Sequence, residues 1–452
     1  MKCKNILRLL AVNAVLSPFT LTAVYAQPAE VRRLSLTEAV HLALAQNRVL
    51  KIARLKVSEN QHKQSGVRSG YFPSISNESH AMYVTSLQNI GVPAGALGAG
   101  NGNFVPSQNV TIPQGDNYLF SSGTTIAQPL TQLIRIHQAN RIAAAEVAVS
   151  RDDLKKAENQ IALDVHNLYF GILIARLQKQ AAEQQGDYAA ANLRESEEDV
   201  RNGSALKVAA IQGATGVLES RQAVLTADLQ ISDLSTELND LLGLPVDTRL
   251  ELDPAVPADF DVRPREEYLR NACSDNPEIR AAEESVRKAK AAVAAAKSKY
   301  IPDVTAFAHQ SYQDGVPFLT HNFGTFGVNL NWEVFDFGKR RSAVRENEDQ
   351  LAEAEENVRR LKEEVAVTIG RVYNKLQRTK SMVQVADQVV KLREESERLA
   401  ENQLTHGVVL VSGKRQATAN TYKAQADLLQ ARLGYLLAWA ELEQAAGQTP
   451  GF

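Results

Sequence analysis

The chain has 452 residues, of which 44% are hydrophobic, 23% charged and only 6% aromatic, with a formal net charge of −2. That balance places it among ordered proteins and gives no basic excess of the kind that drives nucleic-acid binding. Its two cysteines are too few for a disulfide scaffold or a cysteine-based zinc site.

Length alone suggests two or three globular units at roughly 150 residues each. The prolines point elsewhere, because they leave 130–244 and 318–449 free of proline. A proline inside a helix costs about 3 kcal/mol, so two such stretches can hold very long helices.

Taken from the start, residues 1–26 read as a secretory signal: Lys2, Lys4 and Arg8, an apolar run from Leu9 to Leu21, then Val24-Tyr25-Ala26. Cleavage is expected after Ala26. Cys3 precedes the apolar run rather than marking the cleavage point, which argues against a lipid-anchored N-terminus and leaves Cys273 as the mature thiol. The remainder contains no 18-residue apolar run, so it cannot cross a membrane as a helix. A periplasmic, a secreted or a β-inserted chain remains.

The mature chain repeats itself. Asn47 to Tyr71-Phe72-Pro73 has the spacing of Asn276 to Tyr300-Ile301-Pro302, an offset of 229 residues. Val147, Leu154, Ile161 and Leu168 stand opposite Leu351, Val358, Val365 and Val372 at an offset of 204, with Tyr169 and Tyr373 following. The same offset carries Gly203 onto Gly407 and Gly243 onto Gly447. The organisation read from this is a first repeat at 27–251, a linker at 252–264 with three prolines, and a second repeat at 265–449.

Each repeat begins with a short helix (36–45; 265–273) and an alanine-rich helix (about 49–66; 278–298). Two strands follow, about 74–85 and 117–130 in the first repeat and 303–312 and 323–335 in the second. The Gly-, Pro- and Asn-rich segment 87–117 between the first pair reads as a surface loop, with 24 residues more than its counterpart when Gln128 is set opposite Glu333. A helix of about 65–70 residues then runs to Gly203 or Gly407, roughly 100 Å at 1.5 Å per residue, and a return helix of about 36–40 residues follows. Its seven-residue apolar period, sustained over Val147 to Ala189 and Val344 to Val372, predicts side-by-side coiled-coil packing.

In the last strand Phe326, Val328, Leu330 and Trp332 alternate with Thr325, Gly327, Asn329 and Asn331. Such alternation suits lipid on one face and water on the other, with a half-buried soluble hairpin as the alternative. Tyr118, Phe120 and Ile126 against Ser121, Gly123 and Thr125 repeat it. Four strands cannot close a barrel alone, and lipid cannot satisfy open edges, so spanning requires several copies: eight strands from two or twelve from three.

Taken together these residues resemble the outer-membrane efflux protein family, the TolC-like channels. The resemblance is carried by Leu34-Ser35-Leu36-Thr37-Glu38-Ala39 leading to Asn47, the Tyr-Phe-Pro before the first strand, Asn331-Trp332-Glu333-Val334-Phe335-Asp336-Phe337-Gly338, and the paired glycines, and it covers essentially the whole mature chain. It implies a mainly α, α+β protomer giving four strands to a trimeric twelve-stranded β-barrel in the outer membrane of a Gram-negative-type cell. Long helices would form a periplasmic α-barrel. The implied partners are a second and third copy, outer-membrane lipid, a periplasmic adaptor (membrane fusion) protein and a proton-driven or ATP-driven inner-membrane pump, with no nucleic acid. The implied function is conduction without catalysis, cofactor or metal.

The resemblance sets the periplasmic tips, and with them the adaptor contacts, at Arg201, Asn202, Gly203, Ser204 and Ala205, and at Thr405, His406, Gly407, Val408 and Val409. Family members often carry aspartates about six residues after the second tip glycine. Here that position is Gly413, its counterpart is Ala209, and the nearby charges are Lys207, Lys414 and Arg415. The entrance is therefore expected to lack an acidic ring and to favour anions, unless Glu397 and Glu401 face inward and replace it. Outward-facing basic residues that meet the adaptor or solvent fit the sequence equally.

Enzymatic readings find no footing. There is no phosphate-binding glycine loop, no His-Glu-x-x-His and no Gly-x-Ser-x-Gly, and the eight histidines have no metal-ligand spacing. Tyr169 and Tyr373 read as packing aromatics. A secreted or periplasmic coiled-coil structural protein is the remaining rival, but it leaves the duplicated hairpin unexplained.

Overall fold

The computed structural model describes residues 32–100, 103–104, 106–113, 115–254, 262–315 and 320–450, so the expected signal at 1–26 lies outside the described residues. The first repeat runs β1 (Arg32–Leu34), α1 (Leu36–Gln46), α2 (Arg48–Ser69), β2 (Ser74–Tyr83), four short strands β3 (Ile90–Val92), β4 (Ala99–Gly100), β5 (Asn103–Phe104) and β6 (Val110–Ile112), then β7 (Tyr118–Pro129), α3 (Leu133–Arg201) and α4 (Lys207–Leu242). After β8 (Leu250–Leu252) the second repeat follows as α5 (Arg265–Asp275), α6 (Pro277–Ser298), β9 (Asp303–Asp314), β10 (Asn322–Asn331), α7 (Lys339–Thr405) and α8 (Val411–Ala445).

The duplication extends to the hydrogen bonds. Asn47 caps α2 by accepting from the Val49 and Leu50 N–H groups at 2.8 and 3.3 Å, while its Nδ2 donates to Leu241 O at the end of α4. Asn276 does the same for α6, accepting from Glu278 and Ile279 and donating to Ala445 O at 3.1 Å. One asparagine thus starts a helix and ties down the end of another. Gly243 and Gly447 follow those ends with φ of 71° and 88°.

α3 and α7 contain 69 and 67 residues, and α4 and α8 return along them as hairpins. The seam is the one the heptads mark: Val147, Ile161, Ala175, Ala189, Val365 and Val372 are buried. α6 packs on both α3 and α7, and α8 also packs on α3, which joins the repeats side by side. α2 packs on α3, and among the described residues no second long helix packs comparably against it. Between them, Glu146 of α3 pairs with Lys63 of α2 at 2.8 Å and Lys288 of α6 at 3.0 Å.

The main core lies midway along α3, where α4 ends, around Tyr169, Phe170, Ile172, Leu238 and Leu242. A parallel pair, β1–β8, with no repeat or periodic signal in the sequence, closes it. The Tyr169 hydroxyl lies 3.0 Å from Leu34 O and 2.9 Å from Asp253 O, so it donates into the junction of these two short strands. Burial pushes that hydroxyl up to about 12, keeping it protonated. Leu252, expected to open the linker, is instead a buried strand residue, and 255–261 lie outside the described residues. Tyr373 packs against the second cluster, around Tyr268, Ile369 and Leu376.

The four long strands form one antiparallel sheet in the order β10-β9-β7-β2. Its first hairpin extends through β3–β6 and β4–β5 into the long loop. Register sets Ser74 opposite Ala127 and Asp303 opposite Asn331. Ala127 therefore corresponds to Asn331, an offset of 204, and the first hairpin is longer by 25 residues rather than 24. The last strand also ends at Asn331, short of the expected 335, because Asp336 turns the chain by accepting from Gly338 and Arg340 N–H.

Candidate functional site

Two surfaces stand out: the far end of the helical hairpins and the apolar face of the sheet. Both hairpins reverse by the same device. In the first, Ser204 N donates to Asp199 O at 2.8 Å around Gly203, whose φ is 76°. In the second, Val408 N donates to Gln403 O at 2.8 Å around Gly407, with φ 68°. This is the bond that closes a helix when the residue after the cap is left-handed, a conformation glycine adopts without strain. Arg201, Asn202 and Ser204 are exposed around the first turn, and Thr405, His406 and Val408 around the second.

Leu206 and Leu410, absent from the sequence-derived site, stand at the N-caps of α4 and α8 with 81% and 66% exposure. They are related by the same offset of 204 as the two glycines, which was the signal available to find them. With Val208, Ile211, Val408 and Val411 they make each tip an apolar knob on a polar stem. Free apolar side chains at the end of a hairpin mark an interaction surface.

The entrance charges divide. Lys414 pairs with Glu401 at 3.1 Å, and Glu397 accepts from the buried Thr418 hydroxyl at 2.7 Å, so these three are engaged within the second hairpin. Lys207 and Arg415 are exposed and make no ion pair among the described residues. A Cβ added at Gly413 would lie 2.5 Å from Val409 Cγ1, so an acidic residue there would require Val409 to move. A contact unseen from sequence joins the two hairpins: Glu195 of α3 accepts from the Ser412 N–H at the start of α8 at 2.8 Å. The carboxylate thereby satisfies a donor that the first turn of α8 leaves open.

On the sheet, pairing partners share a face. Phe326 stands opposite Ala308, Ala308 opposite Ile126, and Ile126 opposite Ile75, an apolar row across all four strands. Phe326 is 90% exposed, and Val328, Leu330 and Trp332 follow it on the same side, Trp332 just past the strand end. The opposite face carries Glu78, His80, Thr125, His309, Thr325 and Asn329. Toward the loop the outer face turns polar at Asn77, Ser79, Ser122 and Thr124, whose side chains bond one another, before Tyr83 stacks near Tyr118 and Phe120 near Tyr312. Aromatic side chains at both ends of strands 10–12 residues long match the interfacial belts of a spanning barrel. Among the described residues no helix is long and apolar enough to cross a membrane, and no group of His, Cys, Asp or Glu is arranged to hold a metal ion.

The family described as outer membrane efflux protein matches residues 39–244 and 268–448, one match per repeat. No curated protein matches the chain by sequence. Among solved structures, the chain is similar to the Campylobacter jejuni CmeC outer membrane channel at 15% identity and a TM-score of 0.75, over 91% of this chain and 85% of that one. It is similar to CusC at 16% identity and 0.71, over 91% and 92%. It also matches the outer membrane protein VceC from Vibrio cholerae at 16% and 0.70, over 92% and 97%. These likenesses concern the fold, which is shared along nearly the whole length.

Proposed function

The chain belongs to the outer membrane efflux protein family, a family of channels rather than enzymes, and on that premise we propose that it is the exit duct of a tripartite efflux or secretion system. In this reading three copies pool their strands into a twelve-stranded barrel in the outer membrane. Their helices form a tube through the periplasm. The tips dock a periplasmic adaptor that hands over substrate from an inner-membrane pump, proton-driven or ATP-driven.

The observation that carries the reading is the pair of unfilled edges along one side of the protomer and the other. β10 and β2 are both edge strands, which lipid cannot solvate. The helical layer is open in the same sense. α8 packs on α3, whereas α4 leaves Leu218, Leu225 and Leu229 exposed, and α7 leaves Met382, Val385 and Leu392 exposed. Leu229 corresponds to Leu433, which is fully buried in the second repeat. A further copy supplies α4 with the cover that α8 already has, and pairs β10 with β2.

At the entrance, the unpaired Lys207 and Arg415 support a duct without a cation-binding ring. A reversal potential showing strong cation selectivity in asymmetric salt would remove that part of the reading. The adaptor reading is tested by Ser204→Cys and Val408→Cys in a Cys273→Ser background, with crosslinking in cells and identification of the captured protein. Capture of a periplasmic adaptor from both positions is expected. A tip that captures only its own copies contradicts it.

A further inference from the structure

Where the strands meet the helices, the surface changes chemistry within a few residues. The apolar row runs from Leu330 to Trp332, and Phe335 and Phe337 beyond it are 71% and 91% exposed, their rings 4.7 Å apart. Trp332 also lines a cavity of about 290 Å³ whose wall holds four basic side chains, Arg135, Lys299, Lys339 and Arg340, against two acids, Asp303 and Glu333.

Pairing within the protein does not use up these cations. Arg135 is bonded to Asp303, and Arg340 to Asp336 at 2.6 Å while its guanidinium rests over the Tyr300 ring at 5.2 Å. Lys299 and Lys339 are exposed and make no ion pair among the described residues. The repeat shows why. At an offset of 204 Lys339 is the counterpart of Arg135, but the counterpart of its acid, Asp303, at the offset of 229 is Ser74. Lys299 in turn stands where the first repeat has Gly70. The second repeat keeps one cation and adds another, and its Glu333, on the same wall, makes no ion pair with either among the described residues.

We propose that this junction binds the phosphate headgroup of an anionic phospholipid from the periplasmic leaflet, one site per protomer. The inference rests on the sheet spanning the membrane. Lys299 and Lys339 contact the phosphate, and Trp332 lies against the glycerol and upper acyl region beside it. Indole rings settle at the headgroup level, lysine stems lie along apolar surface while their ammonium groups reach polar atoms, and basic pockets at that depth select anionic headgroups. The aromatic wall raises the value of each charge by thinning the water around it.

The test is native mass spectrometry of the full-length protein purified in detergent and offered phosphatidylglycerol, phosphatidylcholine or inorganic phosphate. Phosphatidylglycerol is expected to be retained in preference to phosphatidylcholine and to survive an excess of inorganic phosphate. Each lysine removed, as Lys299→Gln or Lys339→Gln, should weaken retention about fivefold, the ~1 kcal/mol of one basic side chain at an anionic surface. Arg345→Gln, further along α7, should leave it unchanged. Equal retention of the two lipids, displacement by inorganic phosphate alone, or wild-type retention by the double variant would overturn the proposal. Conductance in planar bilayers is measured on the same samples. Loss of the lipid preference with conductance intact defeats only this inference, whereas absence of conductance in the wild type defeats the channel reading.

Discussion

Glu195 and Ser412 meet across the boundary between the two repeats, the carboxylate accepting the Ser412 N–H at 2.8 Å close to the hairpin turns. It ties one hairpin to the other near their ends, and on the duct reading proposed above the two would separate there as the entrance widens. Glu195→Ala leaves that N–H to water and should cost about 1 kcal/mol, the net worth of a partly exposed bond. Single-channel recording should show a higher open fraction in Glu195→Ala and an intermediate one in Glu195→Gln, whose amide oxygen still accepts. Identical recordings from all three would show that the bond plays no part in holding the entrance.

The turn glycines differ in what surrounds them, which predicts an order of damage. At Gly203 and Gly407 an added Cβ meets nothing within 4 Å, so alanine there costs only the left-handed backbone, about 1 kcal/mol. At Gly447 the Cβ would lie 2.5 Å from Asn276 Cα and 2.7 Å from its N. Gly447→Ala must displace the cap of α6, and should lower the thermal midpoint clearly more than Gly407→Ala in the same detergent.

The face assignment of the sheet is tested by moving one residue along β10. Val328→Lys puts a charge on the outer row and should cost about 2–4 kcal/mol if that row meets lipid. Asn329→Lys, on the inner face, should insert and resist heat like the wild type. Equal tolerance of both in outer-membrane fractions would reverse or abolish the assignment.

Glu146 gives the helical layer an acid limit. Its hydrogen bond to Lys63 is the largest influence and, with the Lys288 pair, holds the carboxyl below its ordinary 4.5 despite partial burial. A carboxylate lowered in the folded protein contributes stability that is present above its unfolded value and is lost as pH falls through the folded one. The pH dependence of thermal unfolding below about 4.5 should therefore be shallower in Glu146→Gln than in the wild type. A parallel profile would contradict that contribution.

The elements visible in the sequence are those the duplication writes twice. Asn47 and Asn276, Gly203 and Gly407, and the seven-residue apolar period are each local signals whose meaning is doubled by recurrence at a fixed offset. Tertiary contacts written once were not visible. β1 and β8 are three residues each and pair across more than two hundred positions, held by the Tyr169 hydroxyl, which in the sequence is one more packing aromatic. Glu195 looks like any other acid on a wet helix until α8 brings Ser412 to it. The entrance charges were legible as residues but not as pairs: Lys414 and Glu401 belong to opposite arms of one hairpin, and only the return of α8 neutralises them. Alternation in the sequence continues to Trp332 and places it on a strand, whereas the Asp336 turn stops the ladder at Asn331.

The most direct test of the whole account is whether β10 of one copy pairs with β2 of the next. Within the chain Thr125 stands opposite His309, and the offsets of 204 and 229 carry this pair to Asn329 and His80. Directly opposed strand residues lie about 4.5–5.5 Å apart at Cα, within disulfide reach. Asn329→Cys combined with His80→Cys in a Cys273→Ser background should give, on oxidation of outer membranes, a covalent species of three chains on a denaturing gel. A chain that stays monomeric under oxidation, or is recovered from the soluble periplasm without detergent, would contradict the account.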